Sequence, residues 1–207
     1  MVNIRIVGAV IGLITVALGT AHVQAAPVAP PAYVEPHPAL AADGYVTHRE
    51  SLVVDVPRNQ YLAWVNRPEV ELSDLIKGDG SSPRVVATEN LRGDWDARSD
   101  RTGDRRRVQF DSGHYLAEEV LTDTPDTFRY IIWGFTEPQQ RFTIDHAVAA
   151  FEFTDQGTST RLTWTYSFQP ITPALRPAVS LIVERTMPVL MRETLAAMKS
   201  GAEADAG

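Results

Sequence analysis

Asp145 and His146 are neighbouring side chains of types that work together in acid–base catalysis. They fall within a predicted strand, where adjacent residues point to opposite faces, so the two cannot hydrogen-bond each other without a β-bulge. Two roles are open for His146 by itself. It either lines a cavity as an acid or base that titrates near neutral pH, or it is a satisfied or exposed strand histidine.

Glu118 and Glu119 occupy consecutive positions of another predicted strand, so one of the two must face the inner side of the sheet. A buried carboxylate needs a partner, and an inward glutamate paired with an arginine such as Arg107 would orient the polar end of a ligand. An edge position or a cavity open to water would instead leave both solvated. Apolar neighbours lie on both faces, so hydrophobicity does not select the inward residue.

A cluster of five arginines lies in a predicted loop and the strand that follows it. Its members are Arg98, Arg101, Arg105, Arg106 and Arg107. Such a cluster at a cavity mouth would attract anionic head groups or carboxylated ligands. The interleaved aspartates cancel most of its field, which favours a solvated hairpin instead.

Metal, nucleotide and covalent chemistry have no recognisable motif in this sequence. The histidines are scattered, without a ligand pair at metal-binding spacing, so we predict no metal site and no cofactor. There is no nucleophile elbow, phosphate-binding loop or dinucleotide fingerprint. The absence of cysteine excludes cysteine proteases, disulfide oxidoreductases and thiolate metal centres.

Composition and charge narrow the class of protein further. The 207 residues are 44% hydrophobic and 22% charged, which are ordinary globular proportions. A formal charge of −7, from 26 acidic and 19 basic side chains, has the wrong sign for binding phosphate backbones. We therefore expect no nucleic-acid partner. The sequence carries no signal for an oligomeric state.

The first 25 residues have the pattern of a secretory signal peptide. An apolar run at positions 6–18 follows Arg5 and precedes the small-residue pattern Val23-Gln24-Ala25. At about 13 residues the run is shorter than the roughly 20 needed to span a bilayer. We expect export to a periplasmic or secreted location, and the alternative is a protein tethered to the membrane by an uncleaved segment. Residues 26–43, rich in proline and alanine, are expected to be a stiff spacer or the disordered start of the mature chain.

The remaining chain predicts one α+β domain over residues 44–200. A strand at 48–56 is followed by two short helices at 58–66 and 71–76. Six further strands are predicted at 84–92, 104–111, 114–122, 127–136, 141–154 and 159–169. Their short connections favour an antiparallel meander, which gives a curved sheet of about seven strands around a long C-terminal helix.

The long helix is predicted at residues 172–199, followed by a disordered tail at 201–207. Its apolar stripe includes Ile182, Val183, Val189 and Leu190, which should bury against the sheet. Pro188 should kink it near Glu184. That kink either lets the two halves flex and admit a ligand, or it bends the helix to follow the sheet.

Alternating bulky residues on three strands predict an apolar inner face. In residues 159–169 the bulky side chains alternate with Arg161, Thr163, Thr165 and Ser167. They either surround a cavity or simply fill the core under the long helix. The candidate ligand-binding residues on the strands and the helix are Tyr130, Ile132, Phe151, Leu162, Trp164, Tyr166, Phe168, Ile182 and Val183.

Four stretches give the chain a family resemblance over about residues 44–199. They are LVVDVPRNQYLAWV, GDRRRVQFDSGHYLAEEVL, TPDTFRYIIW and GTSTRLTWTYSFQP. In order and spacing they resemble the SRPBCC (START/Bet v 1-like) superfamily, and within it the bacterial polyketide cyclase/dehydrase-like members. The resemblance implies a helix-grip fold enclosing an apolar cavity for a lipid, sterol, polyketide or other hydrophobic ligand. It assigns no catalytic residue, because the superfamily shares none.

Three functions follow from this pattern. The leading one is an exported, non-enzymatic protein that binds a hydrophobic small molecule or lipid, a role compatible with contact at a membrane surface. The second is a cyclase or dehydratase that uses one acid or base in its pocket. The third is an envelope interaction module with a collapsed cavity.

Overall fold

The computed structural model describes residues 28–77, 84–95 and 100–207. The predicted signal peptide lies outside these residues. The elements in chain order are β1 (Val46–Val54), α1 (Arg58–Val65), α2 (Leu72–Leu75), β2 (Val85–Arg92), β3 (Arg105–Phe110), β4 (Tyr115–Asp123), β5 (Thr127–Trp133), α3 (Pro138–Arg141), β6 (Ile144–Asp155), β7 (Thr160–Pro170), a 3₁₀ turn (Pro173–Leu175) and α4 (Arg176–Ala206).

Seven strands form one antiparallel sheet in the order β1-β7-β6-β5-β4-β3-β2. Sequence neighbours from β2 to β7 pair as hairpins, and β1 closes the order by pairing with β7. Gly113 and Gly157 have φ of 77° and 82° in two of the tight connections, a conformation that glycine adopts without strain. The predicted α+β architecture with a helix-grip arrangement is confirmed.

Two strand boundaries differ from the prediction because a helical turn separates β5 from β6. Glu137 caps this turn by accepting a hydrogen bond from the Gln140 N–H, and Pro138 fits its first position. As a result β5 ends at Trp133, and β6 begins at Ile144 instead of position 141.

The two faces of the sheet have different partners. Paired residues on neighbouring strands share a face, so the register assigns each side chain to one of them. We call the face that packs against α1 and α4 the inner face, and the core of the domain lies there. A smaller apolar cluster of Ala117, Ile131 and Trp133 lies on the opposite, outer face.

Helix α4 is longer than predicted and presents a different stripe to the core. Its buried residues are Val179, Val183, Met187, Met191, Thr194, Leu195, Met198 and Ala202. Of the four residues expected to bury, Val183 is buried and the half-buried Leu190 packs against the core. The expectation is wrong for Ile182 and Val189, which are half-buried and lie outside that core. The buried positions recur mainly every four residues, which places Ile182 at the margin of the stripe.

The predicted disordered tail is also wrong, because α4 continues to Ala206. Gly201 packs so closely on the ring of Trp64 that a Cβ atom would lie 2.3 Å from it. Glu203 accepts a hydrogen bond of 2.8 Å from the backbone N–H of Asp55. Both contacts attach the last turns of α4 to the domain.

The described part of the predicted linker, residues 28–43, packs against the outer face of the sheet. The Tyr33 hydroxyl donates a hydrogen bond of 2.7 Å to the carbonyl of Gly134. Arg105 donates to the carbonyl of Tyr33 at 2.6 Å, and Arg107 to that of Pro31 at 2.7 Å. The segment forms no helix or strand, and Tyr33 has a positive φ of 47°, but it belongs to the folded domain.

Candidate functional site

A cavity of about 320 Å³ opens between α1, α4 and the inner face of the sheet. Its volume lies at the lower end of the range of roughly 300–1,000 Å³ seen for small-molecule sites. Its lining residues are Tyr61, Leu62, Val65, Asn66, Asp100, Arg101, Asp123, Thr124, Pro125, Phe128, Phe151, Phe153 and Met198. The floor is therefore apolar, and the polar groups gather at the mouth.

Aromatic rings form the floor of the cavity. The rings of Phe151 and Trp164 stack with centroids 4.7 Å apart, and Phe153 lies beside Phe151 at 6.1 Å. From the opposite wall, Tyr61 lies 5.9 Å from Phe153, and its hydroxyl lies 3.7 Å from the sulfur of Met198. Such a surface favours flat or extended apolar molecules.

Met198 of α4 lines the cavity, and it belongs to a row of methionines on that helix. Apart from Met1, every methionine of the chain lies on the buried stripe of α4. Their unbranched, polarisable side chains fill irregular gaps and adapt to neighbours of different shape. Met198 therefore gives the helix wall of the site a side chain that can adapt to its neighbours.

An ion pair marks the mouth of the cavity. Arg101 donates from Nε and Nη2 to the carboxylate of Asp123 at 2.7 and 3.1 Å. Its guanidinium lies 4.5 Å from the centre of the Phe128 ring. The pair thus places a charged rim directly on the aromatic floor.

Glu118 is the inward member of the consecutive glutamates, and its partner is Arg106. Their side chains are 6% and 11% exposed, and Oε2 of Glu118 lies 2.6 and 2.7 Å from Nη2 and Nε of Arg106. Arg106 also stacks at 4.0 Å on Trp95. Burial, followed by the charge of Glu118, raises the pKa of Tyr130 far above its usual range, so this phenol stays a neutral hydrogen-bonding group.

Glu119 and Arg107 lie on the outer face, so the prediction that Arg107 pairs with the inward glutamate is wrong. Glu119 accepts two hydrogen bonds from Arg105, at 2.7 and 2.9 Å. Arg107 pairs with Glu89. The register places Arg106 opposite Glu118, while Arg107 is opposite Ala117.

His146 also lies on the outer face, where it is 1% exposed. A register shift between Ile144 and His146 forms the bulge that an Asp145–His146 contact requires. Nδ1 of His146 lies 2.7 Å from the carboxylate of Asp145, and Nε2 lies 2.8 Å from the Tyr45 hydroxyl. The pair therefore exists, but it joins β6 to the start of β1 and does not line the inner cavity.

The predicted apolar site residues are mostly brought together in the core. Phe151 lines the 320 Å³ cavity, which we call the main cavity, and the ring of Trp164 stacks on that of Phe151. The other inner-face residues belong to, or pack on, the same core: Tyr130, Ile132, Leu162, Tyr166, Phe168 and Val183. Ile182 lies outside this core because it is at the margin of the buried stripe of α4.

Sequence reasoning missed the residues that α1 and the mouth contribute. Leu62 and Val65 of α1 lie at helical spacing in the sequence, but nothing local shows that they face a cavity. The pairing of Arg101 with Asp123 joins a loop to the end of β4, 22 residues further along the chain. The three methionines carried a signal, since they recur on one helix face.

The described residues were also compared with the requirements of a metal site and of a membrane-spanning helix. No group of three or more His, Asp or Glu side chains among them is arranged to hold a metal ion. None of the helices in residues 28–77, 84–95 and 100–207 is long and apolar enough to cross a membrane.

Comparison with known proteins gives one family match and several similar folds. The family model described as polyketide cyclase/dehydrase and lipid transport matches residues 70–203. No match was found among curated protein sequences.

Three solved structures illustrate the similarity of fold. The Zhui aromatase/cyclase from Streptomyces sp. R1128 is 15% identical with a TM-score of 0.52, covering 79% of this chain and 96% of that one. A protein from Thermus thermophilus is 14% identical with a TM-score of 0.54, covering 78% and 100%. Major latex-like protein 151 from Panax ginseng is 9% identical with a TM-score of 0.51, covering 79% and 98%.

Proposed function

Because this chain belongs to the polyketide cyclase/dehydrase and lipid transport family of the SRPBCC superfamily, we propose that it binds a hydrophobic small molecule or lipid between its sheet and helices. One observation carries this proposal: a 320 Å³ cavity with an aromatic floor lies between the sheet, α1 and Met198 of α4 and opens to solvent. A filled core would need no such opening. Non-covalent binding is the function that this geometry supports best.

Extraction of the purified protein with organic solvent, followed by mass spectrometry, tests the proposal directly. We expect an apolar molecule to co-purify. After its removal, the fluorescent apolar probe N-phenyl-1-naphthylamine should bind in its place. A protein that carries no extractable molecule and binds no probe would instead be an interaction module with a collapsed cavity.

A matched pair of substitutions locates the binding site. Leu62→Trp fills the cavity from α1 and should weaken probe binding by at least about tenfold, because the added volume competes with the ligand. Leu181→Trp makes the same exchange on the exposed side of α4, where Leu181 is 45% exposed. It should leave binding unchanged. Equal binding by both variants would place the site elsewhere.

A cyclase or dehydratase reaction is the second candidate, and the inward position of Glu118 favours it. His146 and Glu119 lie on the outer face, whereas Glu118 lies on the inner face beside the cavity without lining it. The ion pair with Arg106 gives Glu118 an orienting role rather than a proton-transfer role. Glu118→Gln distinguishes the two. If the wild type converts its ligand and Glu118→Gln binds the ligand without converting it, the protein is an enzyme. If the wild type and Glu118→Gln both bind the ligand and neither converts it, the protein is a carrier.

We also propose that the protein is exported, on the strength of the sequence pattern of its first 25 residues. The mature chain should then begin at Ala26 and occur in a periplasmic or secreted fraction. Intact-mass measurement of the protein from its native host tests this. Retention of residues 1–25 in a membrane fraction would indicate the tethered form.

A further inference from the structure

A second, smaller chamber of about 110 Å³ adjoins the main cavity. The two chambers share Val65, Asn66 and Arg101 as lining residues. In the small chamber, Arg101 is joined by Arg67 and Arg106, and no carboxylate lines it among the described residues. The main cavity is therefore in contact with a chamber whose polar lining consists of Asn66 and three guanidinium groups, each paired with a carboxylate outside the chamber.

The two inner arginines retain hydrogen-bond donors that face no protein acceptor among the described residues. Arg101 uses Nε and Nη2 on Asp123, and Arg106 uses Nε and Nη2 on Glu118. Nη1 of each makes no hydrogen bond within the described chain. Guanidinium donors of this kind match the spaced oxygens of a carboxylate or phosphate.

Aromatic stacking holds both guanidinium groups in place. Arg106 lies 4.0 Å from the ring centre of Trp95, and Arg101 lies 4.5 Å from that of Phe128. Their side chains are 11% and 12% exposed, so both guanidinium groups are largely shielded from solvent. A preorganised, partly dehydrated pair of cations binds an anion more strongly than exposed arginines would.

We propose that this chamber binds the oxyanion head of an amphiphilic ligand whose apolar chain occupies the main cavity. This inference rests on the proposed function and adds the ligand class, an apolar chain ending in a carboxylate or a phosphate. The head accepts hydrogen bonds from Nη1 of Arg101 and Arg106. Arg67, paired with Asp205 at the outer end, adds positive potential.

Three probes of equal chain length test the proposal: decanoate, decyl phosphate and 1-decanol. Each competes against N-phenyl-1-naphthylamine on the full chain after its own ligand has been removed. At least one of the two anions should displace the dye at a concentration about tenfold below that of 1-decanol, because charge-assisted hydrogen bonds form only with the anions. The preferred anion identifies the head as a carboxylate or a phosphate. Inorganic phosphate alone should displace no dye.

Substitutions then assign the preference to the chamber. Arg101→Gln should abolish the preference for the anion over 1-decanol, even where loss of the pair with Asp123 changes the affinity for both probes. Displacement of the dye by 1-decanol shows that the variant is folded. Arg192→Gln is the matched control, because Arg192 pairs with Glu50 at a distance of 3.1 Å and lines neither chamber. If Arg101→Gln fails to bind 1-decanol, Arg67→Gln replaces it and should reduce the preference.

The outcomes separate this inference from the proposed function. If 1-decanol displaces the dye as well as both anions do, the oxyanion site is wrong and the hydrophobic cavity stands. If the preference survives in both arginine variants, the anion binds elsewhere. If the dye itself does not bind, the proposed function fails together with the inference.

Discussion

The carboxylates of Glu118 and Glu119, consecutive residues of β4, are held on opposite faces of the sheet by two consecutive arginines of β3. Oε2 of Glu118 lies 2.6 Å from Arg106 on the inner face, and Oε2 of Glu119 lies 2.7 Å from Arg105 on the outer face. The inner pair adjoins the ligand chambers, whereas the outer pair contacts the N-terminal segment. The same chemistry therefore serves the site on one face and the fold on the other.

Removal of either carboxylate should destabilise the protein, but only one removal should change ligand binding. Glu118→Ala and Glu119→Ala each leave a buried arginine unpaired, which typically costs about 3–5 kcal/mol. Urea denaturation measures this loss. Binding of N-phenyl-1-naphthylamine by the folded fraction should change in Glu118→Ala alone. Altered binding in Glu119→Ala would contradict the separation of the two faces.

The sequence could predict that one glutamate points inward, but not which one. Strand alternation requires opposite faces, and apolar residues occupy both faces of β4. The choice depends on how β4 pairs with β3 and β5, which joins residues far apart in the chain. The elements themselves were predictable, since turn residues and alternation are local signals.

Tyr33 should contribute to the stability of the sheet from outside it. Tyr33→Ala removes the hydrogen bond to Gly134 and uncovers part of the outer apolar cluster, so a loss of about 1–3 kcal/mol is expected. Val34→Ala is the matched control, because Val34 is 78% exposed. Thermal denaturation compares the two. Equal midpoints would show that the N-terminal segment does not support the sheet.

Composition alone could not show that residues 28–43 pack against the outer face of the sheet. The prolines of this segment disfavour helix, and none forms there, but its attachment depends on Arg105, 72 positions beyond Tyr33. Cation–aromatic contact with Trp133 at 5.0 Å aligns that arginine. A local pattern of proline and alanine is the same for a free linker and for a docked one.

The methionines of α4 should determine how many ligand shapes the protein accepts. Replacing Met187, Met191 and Met198 together by leucine conserves volume, so each change should cost less than about 1.5 kcal/mol in stability. The branched, stiffer side chains should bind some apolar probes and reject others that the wild type accepts. A panel of probes of different width measures this. Unchanged affinities across the panel would show that the helix wall does not adapt.

The last turns of α4 should make stability depend on pH through Glu203. The hydrogen bond from Lys199, followed by that from the Asp55 N–H, lowers the pKa of Glu203. A lowered pKa in the folded state stabilises the protein above the unfolded-state value of about 4.3, and this stabilisation is lost as the pH falls through the folded-state pKa. Wild type should therefore be more stable than Glu203→Gln at pH 7, with the difference vanishing in acid. Urea titrations at several pH values provide the measurement, and a constant difference would contradict it.

Pro188 should bend α4 without controlling ligand exchange. It lies within a continuous helix and cannot donate a backbone hydrogen bond to the carbonyl of Glu184. The residue of α4 that lines the cavity, however, is Met198, ten residues and about 15 Å further along the helix. Pro188→Ala should thus stabilise the fold by up to about 3 kcal/mol and leave the rate of probe dissociation unchanged. Asp123→Asn, which weakens the ion pair at the mouth, should speed dissociation in the same stopped-flow experiment. Slower dissociation from Pro188→Ala would show instead that flexing of the helix admits the ligand.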